Sequence, residues 1–181
     1  MNNSTTEAKL ASRLHAQKLV IYHPTSSGTG AALQLEPRVN RKGDDRYNCF
    51  FLEMATQKSA ASRVEGKTVP ASFDWEHKLT VKLDFTDICE MLAVLEGRVD
   101  KVGGQRSGLF HQNGATSTVI SLQKSEKGGY FVGLSKKDGG SGIVSRVNIT
   151  LSEAEAIGLR SIFQAGLFFI TFHTHIFQTA A

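Results

Sequence analysis

Hydrophobic and polar residues alternate in several short runs along the chain. Such alternation is typical of strands with one buried face, because successive side chains point to opposite sides of a sheet. In the first half, these runs predict strands at residues 18–22, 31–39, 48–54 and 78–83, with a long polar loop over residues 56–70. In the second half, they predict strands at residues 109–111, 116–124, 130–136 and 146–151.

Helical spacing replaces the alternation after each set of four strands. Ile88, Met91, Leu92 and Leu95 recur at intervals of three and four residues, which predicts a first helix. Thr86 lies just before them and is the expected N-cap. The helix is expected to end before the glycine at position 97.

The second predicted helix is apolar around nearly its whole circumference, from residue 157 to residue 172. Ser152 and Glu155 form a predicted capping box at its start. A helix that is apolar all round must be buried on all sides, and one sheet cannot cover both of its faces. This pattern favours an interface between subunits; the alternative is a helix buried wholly within one domain. The predicted interface residues are Ile162, Phe163, Phe169 and Ile170.

The order of the elements predicts an α+β fold. Two antiparallel four-stranded sheets, each followed by a helix, would form a repeated ββββα plan. The halves span residues 18–97 and 108–172 within one domain of residues 18–175. Residues 1–17 are polar and are expected to be flexible, and residues 176–181 form a tail.

Composition narrows the class of partner only a little. The net charge of +4 and the pI near 9.1 permit a polyanionic partner without requiring one. Cys49 and Cys89 are far apart, which indicates two reduced thiols in a reducing compartment. The expected location is the cytoplasm, with the nucleoid, or an organelle if the source is eukaryotic. No apolar run is long enough for a signal peptide or a membrane span.

Catalytic and metal-binding signatures are absent from the sequence. The chain has no GxSxG, Walker or HExxH motif, so neither an enzyme activity nor a cofactor is expected. His173 and His175 would share one face of a strand and could both reach a metal ion. Two ligands do not make a metal site, and no cysteine or carboxylate lies close to them in the sequence.

Basic residues occupy several outward positions on the predicted strands. The candidate phosphate contacts are Arg38, Lys78, Lys82, Lys124, Lys136 and Arg146. Solubility alone would also explain such charges. Phe51 and Phe131 alternate with core positions, so they are expected on outer faces, and Trp75 precedes the strand that carries Lys78. Outward aromatic rings suit base stacking; the alternative is that they pack against another subunit.

The collinear order of these motifs resembles the Whirly family of single-stranded-DNA-binding proteins. The resemblance covers about residues 18–172. Its segments are Gly28-Thr29-Gly30-Ala31-Ala32-Leu33 continuing to Glu36-Pro37-Arg38, residues 47–55, Phe73-Asp74-Trp75 with Lys78, residues 86–95, Gly108-Leu109-Phe110-His111, residues 129–135 and residues 149–172.

The resemblance implies crosswise packing of the two sheets, a homotetramer and sequence-tolerant binding of single-stranded DNA. The related kinetoplastid mitochondrial RNA-binding proteins share the fold, so RNA binding is the alternative. A structural oligomer with no nucleic-acid role is a second alternative. Thr29 stands where the family signature has a lysine, and that lysine is linked to DNA binding and to higher-order assembly.

Overall fold

The fold consists of antiparallel sheets and two α-helices. A computed structural model describes residues 18–38, 48–106 and 108–172, except for the side chains of Phe169 and Phe172. The strands are β1 (Leu19–His23), β2 (Ala31–Arg38), β3 (Cys49–Ser59), β4 (Ser62–Val64), β5 (Lys67–Val69), β6 (Ser72–Phe73), β7 (Leu79–Leu83), β8 (Leu109–Asn113), β9 (Thr116–Lys124), β10 (Tyr130–Lys137) and β11 (Val144–Leu151). The α-helices are α1 (Phe85–Leu95) and α2 (Glu153–Phe172), and single 3₁₀ turns span Trp75–His77 and Gly104–Arg106.

The first sheet contains the four predicted strands and one short addition. β1, β2, β3 and β7 pair in that order, all antiparallel. The long β3 pairs with β7 through its first half and with the two-residue β6 near its end. Alternate residues such as Leu33, Leu52 and Val81 are buried, as the period of two predicts.

The prediction of one long polar loop over residues 56–70 was wrong. β3 continues to Ser59, and β4 and β5 then form an exposed hairpin. Glu65 and Gly66, at its tip, both have positive φ values of 51° and 79°. Positive φ at both central residues is what a type I′ two-residue hairpin turn requires. Every residue of this hairpin is exposed, so it has no buried face that an alternating pattern could reveal.

The second sheet matches its predicted strands closely. Its order is β11-β10-β9-β8, again fully antiparallel. Its inner face carries residues such as Ile120, Val132 and Leu151, which belong to the same core cluster as the inner residues of the first sheet. The outer faces of both sheets therefore point away from one shared core.

Both helices begin with a capping box. The N-cap of α1 is Asp84, so the prediction of Thr86 as its N-cap was wrong. The Asp84 carboxylate accepts hydrogen bonds from the backbone N–H groups of Thr86 and Asp87. The Asp87 carboxylate accepts in return from the N–H of Asp84 at 2.9 Å. At α2 the predicted Ser152–Glu155 box is confirmed, with the Ser152 N–H donating to Glu155 over 2.8 Å.

A histidine from the opposite half binds the second acid of each capping box. His111 of β8 lies 2.9 Å from the carboxylate of Asp87, and His23 of β1 lies 2.8 Å from that of Glu155. Burial raises the pKa of Asp87, although hydrogen bonds from Asp84 and His111 oppose the shift. Each half of the chain thus ties its first strand to the helix of the other half.

The helix α2 lies closely against the first sheet through Phe163 and Gly166. Phe163 is 0% exposed and meets the ring of Phe50 edge to face, with centroids 5.9 Å apart. The prediction of Phe163 as an interface residue was therefore wrong, because the chain's own core encloses it. Ile162 and Ile170 are partly buried against the core. The side chain of Phe169 lies outside the described residues.

Apolar surface remains on α2 after it packs on its own chain. Ile157 is 54% exposed and Phe168 is 52% exposed. The interface between subunits stays a prediction, and this exposed apolar surface is where it would form. Among the described residues, no helix is long and apolar enough to cross a membrane.

Candidate nucleic-acid interface

The outer face of the second sheet carries no acidic side chain. Its four strands contain four lysines and arginines and neither aspartate nor glutamate. We call the alternate positions that point away from the core the second outer face: Phe110, Gln112, Ser117, Val119, Ser121, Gln123, Phe131, Gly133, Ser135, Lys137, Val144, Arg146, Asn148 and Thr150. Two cations, two phenylalanines and many small polar groups therefore share one surface.

Two aromatic rings occupy the second outer face. Phe131 is half-buried, and its ring extends along β10 over Gly133. Phe110, on the edge strand β8, is 64% exposed. On β9, Phe110 pairs with Val119 and Phe131 pairs with Gln123. The two rings are therefore four residues apart in the direction of the strands, which is about 13 Å. A single strand crossing this face can meet both rings.

Of the predicted contacts on the second sheet, Phe131 and Arg146 share the outer face. The register pairs Lys124 with the buried Tyr130, and Lys136 lies two residues after the buried Leu134, so both lysines belong to the core-facing side. Their prediction as outward residues was wrong. Both remain exposed only because they lie at strand ends.

Sequence reasoning missed Phe110 and Lys137 on this face. Phe110 belongs to a strand predicted as only three residues long, too short for its faces to be assigned. Lys137 lies one residue beyond the predicted end of β10. A longer predicted strand would have placed Phe110 outward, since it alternates with Leu109 and His111.

The outer face of the first sheet brings together Arg38, Phe51 and Lys82 as predicted. Phe51 and Lys82 are direct partners across β3 and β7. The guanidinium carbon of Arg38 lies 5.5 Å from the centre of the Phe51 ring, within the range of a cation–π contact. These three residues form one compact basic and aromatic group.

Trp75 lies at the other end of the same face, in an aromatic cluster. Its ring centroid is 6.5 Å from that of Tyr22, and Tyr22 is 5.3 Å from Phe73. Tyr22 occupies an outer position of β1, opposite Ala32. The Trp75 ring therefore lies beside Tyr22 on the outer side of the first sheet.

Two carboxylates, Glu36 and Glu53, lie on the outer face of the first sheet, which we call the first outer face. Glu53, only 7% exposed, lies 2.7 Å from the Lys78 ammonium group and accepts a hydrogen bond from Gln34. Glu36 pairs with Lys18 at 2.9 Å and with Arg38 at 3.2 Å. The charges of Lys78 and Arg38 are thus partly offset within the chain.

Glu36 is held in its charged form. Burial acts to raise its pKa, but the hydrogen bond and charge of Lys18, with the charge of Arg38, bring the pKa below its usual value. Glu36 therefore carries a negative charge between Lys18 and Arg38. Of the two outer faces, only the second presents its cations without an acidic side chain on the same face.

The loop that resembles the family signature holds hydroxyl groups in place of a cation. The Thr29 hydroxyl lies 2.9 Å from that of Ser27 and 3.3 Å from that of Thr25. The buried Gln57 shapes the loop by accepting from the backbone N–H of Gly30 at 2.9 Å. The turn is therefore well formed, but Thr29 supplies no charge for phosphate.

The described residues contain no group of three or more histidine, cysteine, aspartate or glutamate side chains that could hold a metal ion. His173 and His175, considered as a metal pair from the sequence, lie outside the described residues. Cys49 and Cys89 are free thiols.

No family model and no curated protein sequence matches the chain. Several solved structures are similar to it in fold. The plant transcriptional regulator PBF-2 is 20% identical, with 85% of this chain and 89% of that chain covered and a TM-score of 0.65. WHY1 from Arabidopsis thaliana is 22% identical, with 86% and 88% covered and a TM-score of 0.61. A guide-RNA-binding protein complex bound to a guide RNA is 15% identical, with 91% and 99% covered and a TM-score of 0.59.

Identities this low show a shared fold. PBF-2 and WHY1 are Whirly proteins, so the predicted Whirly-like α+β fold is confirmed.

Proposed function

We propose that this chain binds single-stranded nucleic acid on the second outer face, with little preference for sequence and without a catalytic step. The observation that carries the proposal is the acid-free sheet with two aromatic rings and two cations, Lys137 and Arg146. Rings stack on any base, whereas a duplex hides the base faces. The shared fold with a transcriptional regulator and with a guide-RNA-binding complex supports this class of partner.

Single-stranded DNA is the leading ligand, and RNA is the alternative. The fold does not separate the two, because its neighbours include both plant regulators and a complex bound to guide RNA. A competition titration between DNA and RNA strands of matched sequence decides between them. We further propose that the working form is a homo-oligomer, in which outer faces of neighbouring chains can lie along one strand.

The test is a fluorescence-anisotropy titration of a labelled oligo-thymidine strand at several salt concentrations. Binding should weaken with salt, and the matched duplex should bind more weakly than the single strand. Absence of salt-dependent binding to either DNA or RNA would favour a purely structural oligomer.

The positions of the cations provide a matched pair of variants. Lys137→Gln with Arg146→Gln should flatten the salt slope by about 0.7 for each phosphate that the protein no longer neutralises. Lys124→Gln with Lys136→Gln removes the same charge from the core-facing side of the sheet and should leave the slope nearly unchanged. Equal effects of the two double variants would count against the second outer face as the site.

A further inference from the structure

Gly133 lies under the ring of Phe131 in the middle of the second sheet. A Cβ atom at Gly133 would lie 3.2 Å from Cε1 and 3.4 Å from Cζ of Phe131. Cζ is the ring atom farthest from the backbone of Phe131. Its closeness to Gly133 shows that the ring leans along β10 and does not project away from the sheet.

Neither backbone conformation nor a bulge explains a glycine at this position. Gly133 is not among the glycines with positive φ. It pairs in regular register with Asn148 on β11 and with Ser121 on β9, with no shift on either side. A glycine inside a regular central strand weakens that strand, since it adds backbone entropy and no packing. The space that it leaves for the ring is the remaining physical reason.

We propose that Gly133 is a positioning residue for base stacking: it lets the Phe131 ring lie along the sheet, with one side on the strand and the other toward the ligand. The inference rests on the proposed function and adds a specific geometry to it. A base stacked on this ring lies parallel to the sheet, so its edges can meet neighbouring polar groups such as Ser121 and Asn148.

Gly133→Ala tests the proposal, because its methyl group would lie 3.2 Å from Cε1 of Phe131 and the ring must shift by a few tenths of an ångström, while the strand backbone accepts alanine. The dissociation constant for oligo-thymidine should rise about five-fold or more, a substantial share of one stacking interaction. The salt slope should not change, because the substitution removes no cation from the binding face. Gly158→Ala is the matched control, because it makes the same substitution on α2, away from the second outer face, where a Cβ meets nothing within 4 Å; it should bind like the parent.

A double-mutant cycle separates positioning from a general effect on the sheet. In the Phe131→Ala background, Gly133→Ala should have no further effect on affinity, because the ring that it positions is gone. A full additional decrease in affinity in that background would overturn the proposal. Parent-like affinity of Gly133→Ala, beside clear weakening by Phe131→Ala, would also overturn it.

Phe131→Leu provides a second variant if Gly133→Ala fails to fold. Leucine keeps an apolar cover over Gly133 but has no π face, so the proposal predicts a folded protein with weakened binding. Retained binding by Phe131→Leu would make the ring a structural cover and overturn the inference. Failure of the proposed function is distinguishable, since the parent chain would then bind neither DNA nor RNA in the salt titration.

Discussion

At the scale of single residues, two glycines in α2 have opposite roles. A Cβ at Gly166 would lie 2.4 Å from the Phe50 ring, whereas one at Gly158 would meet nothing within 4 Å. Gly166 therefore allows the helix to approach the first sheet, and Gly158 has no comparable neighbour. Their packing is not evident from the sequence, where both are simply glycines in a helical segment.

These two positions give a paired prediction for stability. Gly166→Ala should lower the free energy of unfolding by about 1–3 kcal/mol, because the core must shift to admit the methyl group. Gly158→Ala should raise it by about 0.5–1 kcal/mol, because alanine is the better helix former. Urea denaturation measures both changes. Equal effects would contradict the close approach of α2 to Phe50.

The sequence predicted individual outward residues well where strands were long and regular. Phe51, Lys82, Phe131 and Arg146 all lie on outer faces, because alternation fixes the face of every residue in a strand of known register. The prediction that Lys124 and Lys136 point outward was wrong, because both lie at strand ends, where exposure does not depend on the face. The partners of Lys78 could not be foreseen, since Glu53 is distant in sequence.

At the scale of elements, the two capping boxes also hold the halves together. Each box places its second acid beside a histidine from the first strand of the other half. The sequence predicted the Ser152–Glu155 box but not its histidine partner, which lies 132 residues away. Local patterns predict how a helix begins but cannot identify contacts that the tertiary fold creates.

The two histidines should differ in their effect on stability. His111→Ala should cost about 1–3 kcal/mol, because it removes a hydrogen-bond partner from the buried carboxyl group of Asp87. His23→Ala should cost less, because Glu155 is more exposed and keeps its bonds from Ser152. Thermal denaturation of both variants compares them directly. A larger destabilisation by His23→Ala would contradict this ranking.

At the scale of the whole molecule, the repeated ββββα order predicted the fold class. Four strands and a helix, twice, left few arrangements for two half-buried sheets. The sequence could not show that both inner faces share one core, nor that the acids lie only on the first outer face. Those properties depend on how the halves meet.

The apolar surface left on α2 predicts self-association. Ile157 and Phe168 are each more than half exposed in the single chain. Multi-angle light scattering at micromolar concentration should give about four times the chain mass of 19.7 kDa if the assembly follows the family resemblance. A stable mass of one chain would contradict both the predicted interface and the tetramer.

A single strand bound on the second outer face lies within reach of photocrosslinking. The protein is bound to an oligonucleotide that contains 5-iododeoxyuridine, and the complex is irradiated. The protein is then digested, and the crosslinked peptides are identified by mass spectrometry. Crosslinks are expected at Phe110 and Phe131, and they should disappear when both residues are replaced by alanine. Crosslinks confined to the helices or to the core-facing side of the sheet, with none on β8 or β10, would contradict binding on the second outer face.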